Sequence, residues 1–311
     1  MKAIRFSSFG PPEVLKLEEA PTPVPARREV LIAVEAAGVT PGDTKLRAGL
    51  LQKIFPVSLP CIPGRDGAGR IVALGAEVGY AKAGDAVCFV ADRIRQGSYA
   101  THIVRDAHSV VPLPAGLSFT EGAALMHAAT CAWIALVDTA GVQAGDRVLV
   151  LGGSGAIGGM AVQITRHLGA HAVATCGARN VDYARSLGAE EALAYDEGRF
   201  PGGPPFDVVL DLVGGEAHER SYRLLRKGGK LVWLIARPFT DCSAQYGVQT
   251  LQAPIIDSPR VNAIVVDLAA KGAIKPQVSR VMPLAEAAQA HRIVEAGQAS
   301  RGRIVLDVQA S

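Results

Sequence analysis

A glycine-rich segment near the middle of the chain constrains the fold more than any other feature. The apolar run Arg147–Leu151 leads into the sequence GGSGAIG at residues 152–158, and apolar residues at helical spacing follow. Gly153, Gly155 and Gly158 satisfy a G-x-G-x-x-G motif, whose glycines permit a tight turn, approach of a pyrophosphate to the backbone, and close helix packing, in that order. The N–H groups at the helix start then face the phosphates. The segment predicts a dinucleotide site, and the alternative is a turn with a purely structural role.

The pattern of apolar segments divides the chain into two parts. Up to about residue 115, short β-branched runs alternate with turns, which predicts an antiparallel β-rich domain. From residue 146 onward, apolar strands alternate with amphipathic helices, which predicts a doubly wound parallel sheet. The alternating final strand, 302–308, is similar to the first part. We therefore expect one domain over 1–115 that is completed by 258–311, and a second over 116–257.

Composition argues against several classes of protein. Of the 311 residues, 49% are hydrophobic and 20% are charged, which is typical of a globular enzyme with a sizeable core. The net charge of +3 is spread over 32 basic and 29 acidic residues, so no basic stripe indicates a nucleic-acid partner. No secretion signal is visible, and charges or glycines interrupt the apolar stretches before the ~18 residues that a membrane span needs. We expect a cytoplasmic protein without a membrane or nucleic-acid partner.

The residues after the second strand of the parallel sheet indicate which dinucleotide binds. NAD enzymes place Asp or Glu there, and its carboxylate accepts a hydrogen bond from the ribose 2′-hydroxyl. This chain has TCGARN at residues 175–180. An arginine without a carboxylate accommodates a 2′-phosphate, so Arg179 favours NADPH as the cofactor. The alternatives are a solvated Arg179 and a role in ribose binding for Asp182, which lies further into the helix, where it favours the helix dipole.

Cysteine and histidine spacing indicates neither a disulfide framework nor a metal site. The cysteines are odd in number, form no C-x-x-C pair and lie at positions 61, 88, 131, 176 and 242. Tyr99 and His127 could each donate a proton, although packing inside the core is the expected role of both. His291 lies near a predicted helix end, which favours a surface or capping position.

Several motifs spread over nearly the whole chain share one pattern. They are FGPPEVL at 9–15, AAGVTPGD at 36–43, PGRDGAG at 63–69, GSYA at 97–100, the glycine loop at 152–158 and RGRIVL at 301–306. With these motifs the chain resembles the zinc-free quinone oxidoreductase and enone reductase branch of the medium-chain dehydrogenase/reductase superfamily, which is related to zeta-crystallin. The resemblance implies an α/β fold in which a Rossmann doubly wound parallel sheet is inserted into a β-rich GroES-like substrate domain. It also implies an active site in the cleft between the domains, and a homodimer formed through residues 247–253.

The resemblance further implies a set of cofactor contacts, position by position. In addition to Gly153 of the loop, the dinucleotide contacts are Thr130, Ser154, Gly155, Ile157 and Gly158; those at the 2′-phosphate end are Arg179, Asn180 and Tyr195; and those on the nicotinamide side are Val213, Gly214 and Ile235. Asn180 stands where relatives often carry lysine, so phosphate affinity is expected to depend more on Arg179.

The implied catalytic residues lie in the turn that holds Thr40, Asp43 and Lys45. Lys45 could contact the nicotinamide ribose or the substrate carbonyl, and its alternative is a surface lysine. Zinc enzymes of the superfamily have Cys and His-Glu where this chain has Thr40 and Arg65-Asp66, so no metal is expected. Negative charge on a carbonyl oxygen is then met by hydrogen-bond donors or water.

The activity that follows from the resemblance is hydride transfer from NADPH to a quinone or an α,β-unsaturated carbonyl, independent of metal. Lys45 favours the unsaturated carbonyl, because related enone reductases often carry lysine there. The alternatives are a metal-free carbonyl or alcohol dehydrogenase, and an NADPH-binding sensor or structural protein with little turnover, because a fold alone does not determine a function.

Overall fold

The order of strands and helices was obtained from a computed structural model, which describes residues 1–91, 96–234 and 239–310. The strands are β1 (Lys2–Arg5), β2 (Lys16–Glu19), β3 (Glu29–Val39), β4 (Asp66–Leu74), β5 (Ala86–Val90), β6 (His102–Asp106), β7 (Val110–Pro112), β8 (Arg147–Leu151), β9 (His171–Cys176), β10 (Glu191–Ala194), β11 (Phe206–Asp211), β12 (Leu225–Trp233), β13 (Gln249–Gln252), β14 (Val278–Pro283) and β15 (Arg303–Asp307). The helices are α1 (Pro41–Arg47), α2 (Phe119–Trp133), α3 (Ala156–His167), α4 (Val181–Ser186), α5 (Glu216–Ser221), α6 (Ser243–Tyr246), α7 (Pro259–Ala270) and α8 (Ala287–Glu295).

The chain forms two compact units. Unit 1 comprises Met1–His127, Asp257–Ala270 and Pro276–Ser311, and unit 2 comprises Ala128–Ile256 and Lys271–Lys275. The first division falls inside α2, whereas the sequence pattern placed a boundary at residue 115. The reason is that Met126, in the first half of α2, packs into a cluster of unit 1 residues.

Unit 1 is built on a seven-stranded sheet. Its strand order is β14-β15-β3-β4-β5-β7, and β6 pairs with β3. The long strand β3 contacts β4, β6 and β15, all antiparallel, and its inward side chains enter the core. The prediction of an antiparallel domain is wrong for one pair, because β14 and β15 run parallel. Helix α8 lies between them in the chain and provides the crossover that a parallel pair requires.

Unit 2 is built on a six-stranded parallel sheet. The strand order is β10-β9-β8-β11-β12-β13, which is the 3-2-1-4-5-6 order of a Rossmann fold when β8 is counted as the first strand. Residues 148–151 of β8 are buried, as expected for a strand that helices cover on both faces. The predicted fold class is confirmed. Strand order reverses between β8 and β11, and ligands of such sheets bind at the carboxyl ends of the strands around this switch point.

One helical segment of unit 1 and unit 2 residues, Phe119–Thr139, is long and apolar. Phe119–Thr139 has a mean hydropathy of 1.2 and passes a test for membrane spans by length and composition, but 78% of its most apolar stretch is buried inside the protein. Core helices of globular proteins pass the same test, so this segment is weak evidence for a membrane contact.

Candidate functional site

The glycine loop follows β8 directly, and its first residues are fixed against β9. Gly152 has a φ of +80°, so it, rather than Gly153, supplies the tight turn that the motif predicts. The N–H groups of Gly152 and Gly153 donate to the Thr175 carbonyl, at 3.1 and 2.9 Å. A Cβ atom on Gly153 would lie 2.6 Å from Cβ of Ala174. Gly153 is therefore required because the loop passes closely over β9.

The remaining glycines of the loop leave the N-terminus of α3 accessible to an anion. Gly155 is the N-cap residue, no side chain caps the helix, and a Cβ atom there would meet only the Gly152 oxygen, at 3.4 Å. A Cβ atom on Gly158 would lie 2.1 Å from the same oxygen, so this position requires close backbone packing. Ser154 is buried and Ile157 is half-buried beside the helix start. The first N–H groups of a helix have no acceptor within it, so this arrangement fits the pyrophosphate of a dinucleotide.

The turn after β11 lies beside the glycine loop. The Asp211 carboxylate accepts hydrogen bonds from the N–H groups of Val213 and Gly214, each at 2.8 Å. Gly214 has a φ of +77°. Cγ2 of Val213 is 3.4 Å from the position of a Cβ atom on Gly152. The structure thus brings Val213 and Gly214, predicted for the nicotinamide side, to the same switch point as the loop.

Thr130 and Ile235 are two further predicted cofactor contacts. Thr130 lies on α2 and is buried. Ile235 lies outside the described residues. Contacts of these two residues with a cofactor stay predictions.

The residues predicted for the 2′-phosphate follow β9 and β10. Arg179 is exposed, whereas Asn180 is only 4% exposed. Tyr195 is 63% exposed, and its hydroxyl is 3.9 Å from the position of a Cβ atom on Gly177. A phosphate arriving from solvent therefore meets Arg179 and Tyr195 more readily than the Asn180 side chain.

Sequence reasoning missed Asp196, an acidic residue at this same corner. Its Oδ1 atom accepts a hydrogen bond from the Ala178 N–H at 2.8 Å, and Oδ2 is 3.4 Å from the position of a Cβ atom on Gly177. The carboxylate of NAD enzymes is expected after the second strand of the sheet, β9. Asp196 instead follows the third strand, β10. Asp196 directly follows Tyr195, which the family resemblance places at the 2′-phosphate end, and this adjacency could have indicated its position.

A second candidate site is a small cavity inside unit 1, with a volume of about 30 Å³. Its lining combines apolar side chains with a few polar ones: Thr40, Gly42, Asp43, Leu46, Leu51, Phe55, Ile62, Pro63, Gly64, Arg65 and His127. The described residues around this cavity therefore include two of the three predicted catalytic residues, Thr40 and Asp43.

Thr40 and Asp43 are held by the start of α1. The Thr40 hydroxyl accepts from the Asp43 N–H at 3.0 Å, and the Asp43 carboxylate accepts from the Thr40 N–H at 2.8 Å, which forms a capping box. Lys45 follows on the same helix and is half-buried. Residues two apart on a helix face different directions, which explains why Lys45 is not part of the cavity lining.

A buried chain of polar groups extends from Asp43 into the core of unit 1. Burial raises the pKa of Asp43 to about 6, although hydrogen bonds from Thr40 oppose the shift. The Tyr99 hydroxyl lies 3.3 Å from the Asp43 carboxylate and 3.4 Å from Nε2 of His291. The prediction of a surface or capping position for His291 is wrong, because this residue is 0% exposed. Burial lowers the pKa of His291 to about 3, so its ring is neutral at physiological pH.

Asp66 and Arg303 form a buried ion pair in the same unit. Nη2 of Arg303 donates to both carboxylate oxygens of Asp66, at 2.7 and 2.6 Å. The His127 N–H donates to the same carboxylate at 3.0 Å. His127 also lines the cavity, and its backbone N–H helps to satisfy the Asp66 carboxylate.

Within the described ranges, no group of three or more His, Cys, Asp or Glu residues is arranged to hold a metal ion. All five cysteines are free thiols, and Cys242 is more exposed than the other four. A catalytic zinc needs about three protein ligands, and the part of the chain that the structure describes offers no such set.

Comparison with known proteins gives matches over the whole chain. Residues 26–115 match the family model "Alcohol dehydrogenase GroES-like domain", and residues 187–306 match "Zinc-binding dehydrogenase". A quinone-oxidoreductase homolog of spinach chloroplasts is 32% identical, over 99% of this chain and 98% of the relative. The quinone oxidoreductase of Escherichia coli, solved in complex with NADPH, has a TM-score of 0.90 at 28% identity, over 99% of this chain and 100% of that one. An NAD-dependent alcohol dehydrogenase has a TM-score of 0.91 at 28% identity, with the same coverage.

Proposed function

Because the chain belongs to the quinone oxidoreductase family of the medium-chain dehydrogenase/reductase superfamily, we propose that it reduces a quinone or an α,β-unsaturated carbonyl with NADPH. The observation that carries the proposal is the glycine loop at the switch point of the parallel sheet, where N–H groups of α3 are available to a pyrophosphate. The family comparison supports a nicotinamide dinucleotide as the ligand of this loop.

The preference for NADPH is proposed from Arg179. It is exposed at the end of β9, where its guanidinium can pair with a 2′-phosphate. Asp196 opposes that preference, because its carboxylate adds negative charge at the same corner. The position of Tyr195 supports a role in holding the adenosine end.

The chemistry divides between the cofactor and the protein. Bound NADPH supplies a hydride, and the acceptor's carbonyl oxygen then gains negative charge. Thr40 lines the cavity and carries one O–H donor, which can serve that oxygen. Asp43 lines the same cavity and can hold a proton near neutral pH, so it or water protonates the product.

No step is assigned to a metal, although one matching family model is called "Zinc-binding dehydrogenase". Thr40 and Arg65 stand beside the cavity, and neither is a zinc ligand. The residues present therefore favour stabilisation of charge by hydrogen-bond donors.

We also propose that the protein forms a homodimer through β13. This strand pairs with β12 along one edge and is the last strand in the described sheet. An edge strand offers backbone N–H and C=O groups to a second strand. The segment lies within residues 247–253, which the family resemblance implies as the interface.

The test is NADPH oxidation by the purified protein against a panel of a para-quinone, an ortho-quinone, an enone, an enal and a saturated ketone, with NADH in parallel. We expect turnover of at least one quinone or enone, with a higher kcat/KM for NADPH than for NADH. NADPH binding without consumption by any acceptor would contradict the proposal and indicate a sensor or structural protein.

A metal-free carbonyl or alcohol dehydrogenase is the second candidate. The structural similarity to an NAD-dependent alcohol dehydrogenase favours it. That activity would convert the saturated ketone and would run backward on the corresponding alcohol, whereas an enone reductase leaves both unchanged.

A further inference from the structure

His218 is a buried histidine close to the switch point of the parallel sheet. It lies on α5, the short helix that follows β11, and is 1% exposed. Its Nδ1 atom is 2.7 Å from Oδ2 of Asp211, the last residue of β11. A carboxylate oxygen can only accept, so Nδ1 carries a proton and donates to Asp211. This bond orients the imidazole against the end of the strand.

The other side of the imidazole is also held in place. Nε2 is 3.1 Å from the Tyr222 hydroxyl, and the ring stacks on Phe239, with 3.9 Å between ring centroids. The Tyr222 hydroxyl in turn contacts Oγ1 of Thr250 in β13, at 3.0 Å. Burial of an imidazole costs free energy unless its nitrogens are paired, and packing alone would be met by an apolar side chain. The paired nitrogens therefore indicate that His218 has a polar role at this place.

Asp211 connects His218 to the turn after β11. The carboxylate is buried; Oδ1 accepts from the N–H groups of Val213 and Gly214, and Oδ2 faces His218. Gly214 and Gly215 have φ values of +77° and +64°. Strands and helices have negative φ, so this turn lies outside both and its N–H groups need other acceptors. The conformation of the turn therefore depends on the Asp211 carboxylate.

The strand order indicates which part of a dinucleotide reaches this turn. Strands β9 and β11 flank β8 on opposite sides, and the glycine loop after β8 is the proposed pyrophosphate site. Arg179, which is proposed to bind the 2′-phosphate, follows β9. The adenosine half then extends towards β9, and the nicotinamide half towards β11. Cγ2 of Val213 lies 3.4 Å from the position of a Cβ atom on Gly152, so the turn borders the glycine loop on the nicotinamide side.

We propose that His218 is a positioning residue, which through Asp211 holds the turn at Val213 and Gly214 against the nicotinamide end of the dinucleotide. The inference rests on the proposed function and deepens it, because it names a group that keeps C4 of the nicotinamide in place for hydride transfer. His218 neither gains nor loses a proton in the reaction. Its contribution is geometric, since hydride transfer requires donor and acceptor carbons at a fixed distance and angle.

Three substitutions in the full chain separate the bond to Asp211 from packing. His218→Leu removes both hydrogen bonds of the ring. His218→Asn keeps a donor, because the side-chain amide nitrogen of asparagine is as many bonds from Cα as Nδ1 is. Ser221→Ala is the matched control, since Ser221 is buried on the same helix but donates to the Ala217 carbonyl, at 2.7 Å. Urea unfolding of each variant verifies its fold.

Two ligands separate the nicotinamide end from the rest of the site. They are NADPH and 2′-phospho-ADP-ribose, which is NADP without its nicotinamide ring. We expect His218→Leu to raise the Kd for NADPH about fivefold, because the loosened turn must be ordered on binding. The Kd for 2′-phospho-ADP-ribose should stay within about twofold of wild type, because the glycine loop that binds its phosphates is unchanged.

The rate of the reaction is expected to follow the same pattern. With the best acceptor of the panel, His218→Leu should lower kcat about tenfold, because a less precisely held nicotinamide reaches the reactive geometry less often. His218→Asn should bring both kcat and the Kd for NADPH to within about threefold of wild type, because the donor to Asp211 is restored. Ser221→Ala should leave both within about twofold, because its lost bond lies away from the turn.

His218→Gln keeps the test decisive if His218→Leu does not fold. The amide nitrogen of glutamine lies one bond further from Cα, as Nε2 does, so it faces Tyr222 rather than Asp211. His218→Gln should therefore show the losses that are expected of His218→Leu, whereas His218→Asn should resemble wild type. Equal values of kcat and Kd for His218→Gln and His218→Asn would overturn the role of the bond to Asp211.

The outcomes distinguish this inference from the function on which it rests. A folded His218→Leu variant with kcat and Kd for NADPH unchanged from wild type would overturn the role of His218. Equal losses of affinity for NADPH and for 2′-phospho-ADP-ribose would indicate a general loss of structure and would also overturn it. Wild type that binds NADPH without turnover of any acceptor overturns the proposed function, while the comparison of Kd values still tests His218.

Discussion

At the scale of single residues, we propose that cofactor preference depends on two opposite charges that follow β9 and β10. Arg179 is exposed there, and the Asp196 carboxylate is fixed by the Ala178 N–H. Sequence reasoning could identify Arg179, because it lies in the expected position after the second strand. It could not place Asp196 at the same corner, because β10 has only four residues and was not predicted.

We predict that Asp196→Asn raises the ratio of kcat/KM for NADPH to that for NADH about fivefold. Asparagine can still accept the Ala178 N–H, so the change removes charge without removing this hydrogen bond. Arg179→Gln is the matched opposite change and should lower the same ratio about tenfold, because it removes a charge-assisted bond to the 2′-phosphate. Steady-state kinetics with both cofactors measure the ratios. If the two variants shift the ratio in the same direction, this account of the corner is incorrect.

The burial of Asp43 predicts a pH dependence of stability. The pKa of Asp43 is about 6 in the folded protein and about 3.9 in an unfolded chain. The folded state therefore binds more protons between these values, so the contribution of Asp43 is fully present below pH 4 and is lost as the pH rises through 6. The loss amounts to about 3 kcal/mol.

Asp43→Asn isolates this effect, because asparagine retains the shape and acceptor oxygen of the aspartic acid. His291 acts with the opposite sign, since its lowered pKa destabilises the fold as the pH falls towards 3. The measured quantity is thus the difference in free energy of unfolding between wild type and Asp43→Asn, from urea titrations at pH 4 to 7. Wild type should become less stable relative to Asp43→Asn as the pH rises. A difference that stays constant would contradict the raised pKa of Asp43.

At the scale of elements, we propose that the glycine loop and α3 bind the cofactor phosphates together. We predict that Gly158→Ala raises the Kd for NADPH at least tenfold, because the added Cβ would lie 2.1 Å from the Gly152 oxygen and 2.8 Å from Gly153 Cα. Those are backbone atoms, so the loop itself must shift.

Gly159→Ala, one position further along α3, is the matched control. Its Cβ would meet the flexible Leu187 side chain at 3.0 Å, and alanine favours a helix over glycine by about 1 kcal/mol. Binding of NADPH, measured by calorimetry, should change by less than about twofold. Equal losses of NADPH affinity in both variants would contradict a specific requirement for glycine at position 158.

Some elements of the fold could be predicted from the sequence, and others could not. Strong periodicity and a glycine loop predicted β8, α3 and the parallel sheet correctly. The four-residue edge strand β13, with the sequence QTLQ, carries little apolar pattern and was identified only through the family resemblance. The burial of His291 depends on Tyr99, which is far away in the chain, so no local pattern could indicate it.

At the scale of the whole molecule, the family resemblance is confirmed by relatives that match over nearly the full length of the chain. Each unit has its own candidate site, a glycine loop in unit 2 and a cavity in unit 1. Thr40 and Asp43 could be predicted as catalytic candidates from the family resemblance, but no local pattern could indicate that Arg65 and His127, from separate segments, line the same cavity.

We predict a dimer in solution. Pairing of β13 with its copy would continue the sheet of unit 2 and satisfy its exposed edge. Sedimentation equilibrium should then give about twice the chain mass of 32.4 kDa. Gln252→Pro in β13 should shift the mass towards the monomer, because the Ala253 N–H donates to Trp233 of β12, so the N–H of the preceding residue faces the free edge, and proline removes this donor. A wild-type mass equal to that of one chain contradicts the proposed interface.

Direct hydride transfer from NADPH to a conjugated carbonyl can be followed with an isotope label. The purified protein is incubated with NADPH that is dideuterated at C4 and with an enone, and the product is analysed by mass spectrometry. We expect one deuterium at the β-carbon of the saturated ketone for each NADPH consumed. Deuterium at the carbonyl carbon of an alcohol, or NADPH that is bound but never oxidised, would contradict it.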